Sequence, residues 1–276
     1  MMSRPSEVGQ RGGNAPRVAE FSPEHQTRLE QTARRREVAA VQTQAEALLS
    51  LATSHGFPLF TGFGTYWHGW ALAMQSQGEK GLPQIHQGMT TIVVTGQTLT
   101  QPLCLTTLAE AAGHGGPVDT GQRLLAKALS AFESTGRGDM VAEAYRLQGE
   151  FLLRQAVPDA VQAEASFQQA LAIARRQQAK SWELRAAVSL SQLWQQQGKQ
   201  DEVQELIASL YSWFTEGFDT ADLQEAKGVL GDETIPKLFA DGADVRRQVD
   251  RGHDSVVCGM ASRITSHIPS DLVVHR

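Results

Sequence analysis

The chain has 276 residues, 41% hydrophobic, 20% charged and 7% aromatic, enough for one large domain or two small ones with a sizeable core. Lys and Arg number 25 against 30 Asp and Glu, a formal charge of -5, so the basic surplus that drives phosphate-backbone binding is missing and no nucleic-acid partner is expected. Two cysteines, Cys104 and Cys258, make neither a disulfide framework nor a four-thiolate zinc site and suit a reducing compartment. With no apolar run near the roughly 18–20 residues of a membrane helix and no apolar signal-peptide core, a cytoplasmic protein without a membrane partner is expected.

Residues 1–23 are rich in Gly, Pro, Ser and Arg without apolar periodicity. They read as a disordered lead, because such a segment buries too little surface to offset ordering entropy. A helical segment starts near Glu24 and is strongest over 38–55, where Val41, Ala45, Leu48, Leu49 and Ala52 form one apolar stripe. Gly56 and Pro58 stop it. Further helices are predicted near 64–77, 80–94, 101–113, 118–134, 139–155, 160–178, 181–197, 200–214 and 220–230. Turns at Gly78, Gly96, Gly115-Gly116-Pro117, Gly136, Pro158 and Gly198-Lys199 separate them. The β-branched run from Thr90 to Thr95 locally contradicts a helix, and there the repeat outweighs propensity. Residues 232–276 carry no pattern that can be placed and are expected to be largely disordered.

Self-similarity at a few tens of residues dominates the middle of the chain. The first helices share a large, x2, large-plus-small, x2, large pattern: Trp67-x2-Trp70-Ala71-x2-Met74, Leu105-x2-Leu108-Ala109-x2-Ala112, Tyr145-x2-Gln148-Gly149-x2-Leu152 and Ala187-x2-Leu190-Ser191-x2-Trp194. The small residue has a geometric cause, since paired helices approach to roughly 8–10 Å and a bulky side chain at the crossing would splay them. Second helices carry small, x3, large, x2, small: Ala163-x3-Phe167-x2-Ala170 matches fully and Gly121-x3-Leu125-x2-Ala128 closely. Val203-x3-Ile207-x2-Leu210 is degenerate, and the stripe Leu82, Ile85, Met89, Ile92 with Pro83 fits loosely.

These patterns resemble those of tetratricopeptide repeats. Stretches such as AEALLSLATSHGFPL, HGWALAMQSQGEKGL and the block from Ala142 to Lys227 resemble the C-terminal tetratricopeptide region of large bacterial signalling proteins. In those proteins a class III adenylate/guanylate cyclase or another output domain precedes a STAND-type ATPase module. The resemblance covers about Val38 to Leu230. It implies an all-α fold, a tetratricopeptide-like α-solenoid of antiparallel helix hairpins in a right-handed superhelix. About four and a half hairpins and a capping helix would fill residues 24–231. The chain departs from that family in lacking a GxxxxGK[ST] loop and paired cyclase aspartates.

No catalytic, cofactor or metal site is expected. The eight histidines form no HExxH or Cys/His zinc spacing, and His55 and His114 suit helix C-termini. Gly113-His114-Gly115-Gly116 reads as a hairpin turn, because no Lys-Ser/Thr follows. Cys104 falls on a packing stripe. Glu143 and Glu150 with Arg146 and Arg154 form a ladder of helix-surface ion pairs. Arg34 to Arg36 reads as a solvated helix end, and Trp67, Trp70 and Trp194 as core.

Function is expected on the inner wall of the array. Projected there are His68, Leu72 and Gln75 from the first repeat and Thr106 and Glu110 from the second. The third supplies Glu143, Arg146, Glu150 and Arg154, and the fourth Arg185, Gln192, Gln195 and Gln196. A polar wall of mixed sign suits a protein or peptide partner in the groove better than a small apolar ligand. Three readings follow: a non-catalytic scaffold for protein partners or for regulating a signalling enzyme, the C-terminal fragment of a multidomain cyclase or ATPase, or a small-molecule sensory module.

Overall fold

The computed structural model describes residues 23–231 apart from Arg35 and Arg137. The predicted lead (1–23, except Pro23) and tail (232–276), with Cys258, lie outside the described residues. All regular elements among the described residues are helical: α1 Pro23–Arg34, α2 Val38–His55, α3 Pro58–Met74, α4 Gly78–Val94, α5 Gln101–Gly115 and α6 Val118–Thr135. They continue with α7 Val141–Leu153, α8 Ala160–Arg176, α9 Lys180–Gln196, α10 Gln200–Tyr211 and α11 Ala221–Leu230. A single 3-10 turn, Thr98–Thr100, precedes α5.

One closing device ends most of these helices. A residue with left-handed backbone stands at Arg36, Gly56, Ser76 and Gly96, at 20-residue intervals, and again at Gln178 and Gly198. At each, the next N–H donates back to the carbonyl five residues earlier: Phe57 to Ala52 at 3.0 Å, Gln77 to Leu72 at 2.9 Å, Ala179 to Ala174 at 3.0 Å and Lys199 to Trp194 at 3.0 Å. This Schellman closure satisfies carbonyls that a helix end leaves open. It sets a 20-residue helix-turn unit and a hairpin unit of twice that length.

The same period appears in the second helices. The even-numbered helices bury one stripe at i, i+4, i+7 and i+11: Val41, Ala45, Leu48, Ala52 in α2; Gly81, Ile85, Gly88, Ile92 in α4; Gly121, Leu125, Ala128, Phe132 in α6. α8 repeats it with Ala163, Phe167, Ala170, Ala174, and α10 with Val203, Ile207, Leu210. The stripes start 40, 40, 42 and 40 residues apart. The two extra residues fall in the α7–α8 connection, where Asp159 caps α8 by accepting from Gln162 N at 2.9 Å.

Three expectations are corrected. α3 begins at Pro58 rather than near residue 64: Pro58 occupies the start of the helix, where its missing N–H costs nothing. Gly78 opens α4 and the turn belongs to Ser76. The segment from Glu24 is two helices, broken at Arg36 with φ 58°. The other predicted helices agree to within a turn. The run Thr90 to Val94 is helical, its threonines donating to the His86 and Gln87 carbonyls at 2.9 and 3.0 Å, a bond that lets a β-branched hydroxyl residue sit in a helix.

α3 and α4 meet closely through glycines. An ideal Cβ on Gly69 would lie 2.7 Å from the Gly81 carbonyl oxygen, and one on Gly88 2.5 Å from Tyr66 N. Thus α4 carries a full small, x3, large, x2, small pattern, with glycine at both small positions. In the third hairpin a Cβ on Gly149 would lie 2.5 Å from the Phe167 ring, the contact expected of the crossing residue. Ala71, Ala109 and Ser191 are fully buried.

Each helix packs on its chain neighbours, and each odd-numbered helix also packs on the next odd-numbered one. The principal packing pairs include no two even-numbered helices. The odd row is therefore the inner layer and the even row the outer. Buried apolar residues form three successive clusters along the array. No helix among the described residues is long and apolar enough to cross a membrane.

Candidate functional site

The inner row buries polar chemistry. Among the described residues, the buried polar or charged side chains are Thr32, Thr106, Thr107, Glu143, Arg146, Glu183, Arg185, Ser189, Ser191 and Asp222 on odd-numbered helices, with Ser166 alone on an even one. An open concave wall would leave such groups in water. Here α9 is buried without a break from Trp182 to Ser191, because α7, α8, α10 and α11 all pack against it.

A chain of alternating charges runs along the inner row. Glu143 accepts from Arg146 at both oxygens, at 2.9 Å from Nε and 2.7 Å from Nη2. Arg146 also donates to Glu150, and lies 3.3 Å from Ser189 Oγ. Arg185 reaches Glu143 at 3.2 Å and Asp222 at 3.4 Å. Asp222 is 4.0 Å from Arg36, whose guanidinium pairs with Glu225 at 2.6 Å. The sequence thus spans α7, α9, α11 and the α1–α2 connection. Glu143 and Arg185 hold equivalent places in successive hairpins, 42 residues apart, so the repeat itself aligns opposite charges.

Burial alone would push the Glu143 carboxyl up, but the guanidinium groups of Arg146 and Arg185 outweigh it and hold it at about 2. Burial opposes the Arg146 charge, yet Glu143 and Glu150 raise its pKa well above the usual value. At Asp222 burial prevails over Arg185 and Arg36, and its pKa is raised. Burial also pushes the Cys104 thiol up to about 12, which removes the thiolate needed for nucleophilic reactivity at neutral pH.

Beside the ion chain lies a small, partly open axial cavity of about 30 Å³. Trp67 and Trp70 of α3, Thr106 and Glu110 of α5, Glu143 of α7, and Trp182 and Arg185 of α9 line it, with Glu30 of α1 at one side. Trp70 Nε1 donates to Glu110 Oε2 at 3.1 Å. Arg185 stacks over the Trp182 ring at 5.2 Å. Trp67 is 4% exposed and its buried indole N–H has no acceptor.

Of the projected wall positions, Thr106, Glu110, Glu143 and Arg185 come together at this cavity, and Arg146 and Glu150 join the adjoining ion chain. Others do not. His68 points between α2 and α4, with Nδ1 2.6 Å from Gln84 Oε1 and Nε2 3.5 Å from Glu46. Leu72 is half-buried, and Gln75 is exposed and donates to Gln42 Oε1 at 2.7 Å. The first-repeat projection was one helical step off, and Trp67 and Trp70 take the inward places. Gln195 lies 3.5 Å from the Val229 carbonyl under α11, while Arg154, Gln192 and Gln196 are exposed.

Two more readings change. Glu143 and Arg146 of the expected surface ladder are buried, while Glu150 is half-buried and Arg154 exposed, and Arg36, exposed as expected, also pairs with Glu225 of α11. Trp182, Arg36 and Asp222 were not singled out for the site. Trp182 and Arg185 share a helix face at i, i+3, a signal present in the sequence, whereas nothing local links Arg36 to Asp222. Among the described residues, no group of three or more His, Cys, Asp or Glu is arranged to hold a metal ion. No family model matches the chain, and no curated protein matches it.

Proposed function

We propose that the chain is a non-catalytic helical-repeat scaffold of the tetratricopeptide kind, acting in the cytoplasm on a signalling protein or regulator through its inner wall. Its hairpin unit of 40 to 42 residues is longer than the 34 of a typical tetratricopeptide repeat, with each helix extended by up to a turn. The observation that carries the reading is the gathering of three indoles and a charged chain from the odd-numbered helices α3, α7, α9 and α11. Buried ion pairs are weak sources of stability compared with apolar packing, so stability alone is a poor reason to place them there.

The test uses Gln192, exposed on α9 at the place equivalent to Glu110 and Glu150, and Gln169, exposed on the outer helix α8. A benzophenone amino acid at each position is photolysed in the source cell. A discrete adduct from position 192, absent from 169, supports an inner-wall partner. Equal labelling, or none from 192, rejects it. The small-molecule sensory reading is favoured by one observation, the axial cavity.

A further inference from the structure

The cavity is built from the inner row. Among the described residues its lining comes from α1, α3, α5, α7 with the adjoining Met140, and α9, and from no even-numbered helix. Its apolar part is Trp67, Trp70, Trp182, Leu103, Met140 and Leu147. The polar groups around it are engaged within the protein. Glu143 is held by Arg146 and Arg185, and Arg185 by Glu143 and Asp222 while it stacks over Trp182. Thr106 and Thr107 donate to the Pro102 and Leu103 carbonyls of their own helix at 2.9 and 3.2 Å. Glu110 accepts from Trp70, and Glu30 is engaged as well. A water held inside a protein makes about three hydrogen bonds, and here it would compete for groups already bonded. An alkyl group needs none and gains dispersion contact with each side chain it touches.

We propose that the cavity receives the branched end of a small uncharged aliphatic group, with the rest of the ligand outside its open side. The volume of about 30 Å³ holds roughly two water-sized groups, the size of two terminal methyls, and is less than an aromatic ring needs. That chemistry belongs both to an aliphatic side chain of a polypeptide and to a small free molecule. The proposal rests on the inner wall being the recognition surface. It adds what that wall recognises.

The indole N–H signals of the full chain, read by nuclear magnetic resonance, test it. Trp67, Trp70 and Trp182 line the cavity, and Trp194 and Trp213 stand outside that lining. N-acetyl-leucinamide is expected to shift the first three saturably and leave the other two unchanged. N-acetyl-asparaginamide, nearly the same shape but polar at its tip, should bind about ten-fold more weakly, because its amide goes unpaired there. Ala33→Ile, which fills the cavity from α1, should abolish the shifts. Leu103→Ala, which widens it, should admit N-acetyl-phenylalaninamide, which the wild type excludes. Acetyl-Ala-Leu-Ala-amide binding more tightly than isobutanol marks a polypeptide side chain as the ligand, and the reverse marks a small free molecule.

Absence of a saturable shift with both N-acetyl-leucinamide and the tripeptide overturns the proposal, as does equal binding of N-acetyl-asparaginamide. Shifts that persist in an Ala33→Ile variant with wild-type circular dichroism overturn it as well. If that variant unfolds, Leu103→Ala decides, and exclusion of N-acetyl-phenylalaninamide from the widened cavity overturns the proposal. Failure here with a position-192 adduct retained removes the ligand assignment and leaves the scaffold reading standing.

Discussion

Arg36, in the connection between α1 and α2, lies 2.6 Å from Glu225 of α11, a residue 189 positions later in the chain. The contact brings the first connection and the last helix of the described residues together. The pair is a surface clasp, with side chains 40% and 44% exposed. It is therefore worth only about 0.2–1 kcal/mol and is weakened by salt. A double-mutant cycle of Arg36→Ala and Glu225→Ala, read by denaturant unfolding, should give a coupling in that range that shrinks in 0.5 M salt. A coupling insensitive to salt would show that the two residues interact through buried packing instead.

Glu143 makes the opposite case. Its carboxyl is held at about 2 against an ordinary 4.5, so the unfolded chain binds the proton more readily than the folded one. The stabilisation is fully present above about pH 4.5 and is lost as pH falls toward 2, on the order of 3 kcal/mol in all. Glu143→Gln should flatten this part of the acid-stability curve. At neutral pH it should cost about 3–5 kcal/mol, because Arg146 and Arg185 lose a buried partner. Urea unfolding from pH 7 to 3 measures both effects, and an unchanged slope would show that Glu143 does not carry the acid sensitivity.

The glycine contacts predict where the hairpins tolerate no bulk. Gly69→Ala places a methyl 2.7 Å from a backbone oxygen, which no rotamer relieves, and should cost about 1–3 kcal/mol. Gly228→Ala, where a Cβ meets nothing within 4 Å, should be neutral or slightly stabilising. Ala71→Trp and Ala109→Trp, at fully buried sites, should each lose about 1–3 kcal/mol or more. Thermal melts distinguish these variants, and a neutral Gly69→Ala would mean the α3–α4 approach is looser than described.

Turn chemistry can be improved at one position. Gln178 holds φ 54° in a place that Gly198 fills in the next connection. A non-glycine residue pays about 1–2 kcal/mol for left-handed backbone, partly offset by the greater chain entropy that glycine surrenders. Gln178→Gly should therefore stabilise by about 0.5–1 kcal/mol, raising the melting temperature. A lower melting temperature would show that the Gln178 side chain contributes more than its backbone costs.

Much of this was readable in sequence. The stripe Val41, Ala45, Leu48, Ala52 announces an outer helix because only one of its faces is buried, and Gly56, Gly136 and Gly198 mark the helix ends. The α3 start was misread because Pro58 follows a turn glycine and serves equally as a stop or as a first residue. The small positions of α4 were overlooked because Leu82 and Met89 supply a more conspicuous stripe beside Gly81 and Gly88.

The inner row was harder to read. Its helices are buried on several faces, so periodicity does not say which side faces inward, and His68 was placed on the inner wall while Trp67, which takes that place, was read as core. By itself the sequence determined the helices, their turns and the hairpin repeat, since those depend on contacts between chain neighbours. Only the tertiary structure decided that polar groups of the inner row are buried, that Arg36 meets Glu225, and that Trp67, Glu110 and Arg185 share a cavity. Contacts between chain neighbours say nothing about how distant hairpins approach one another. Which distant side chains meet across the axis is therefore a property of the whole stack.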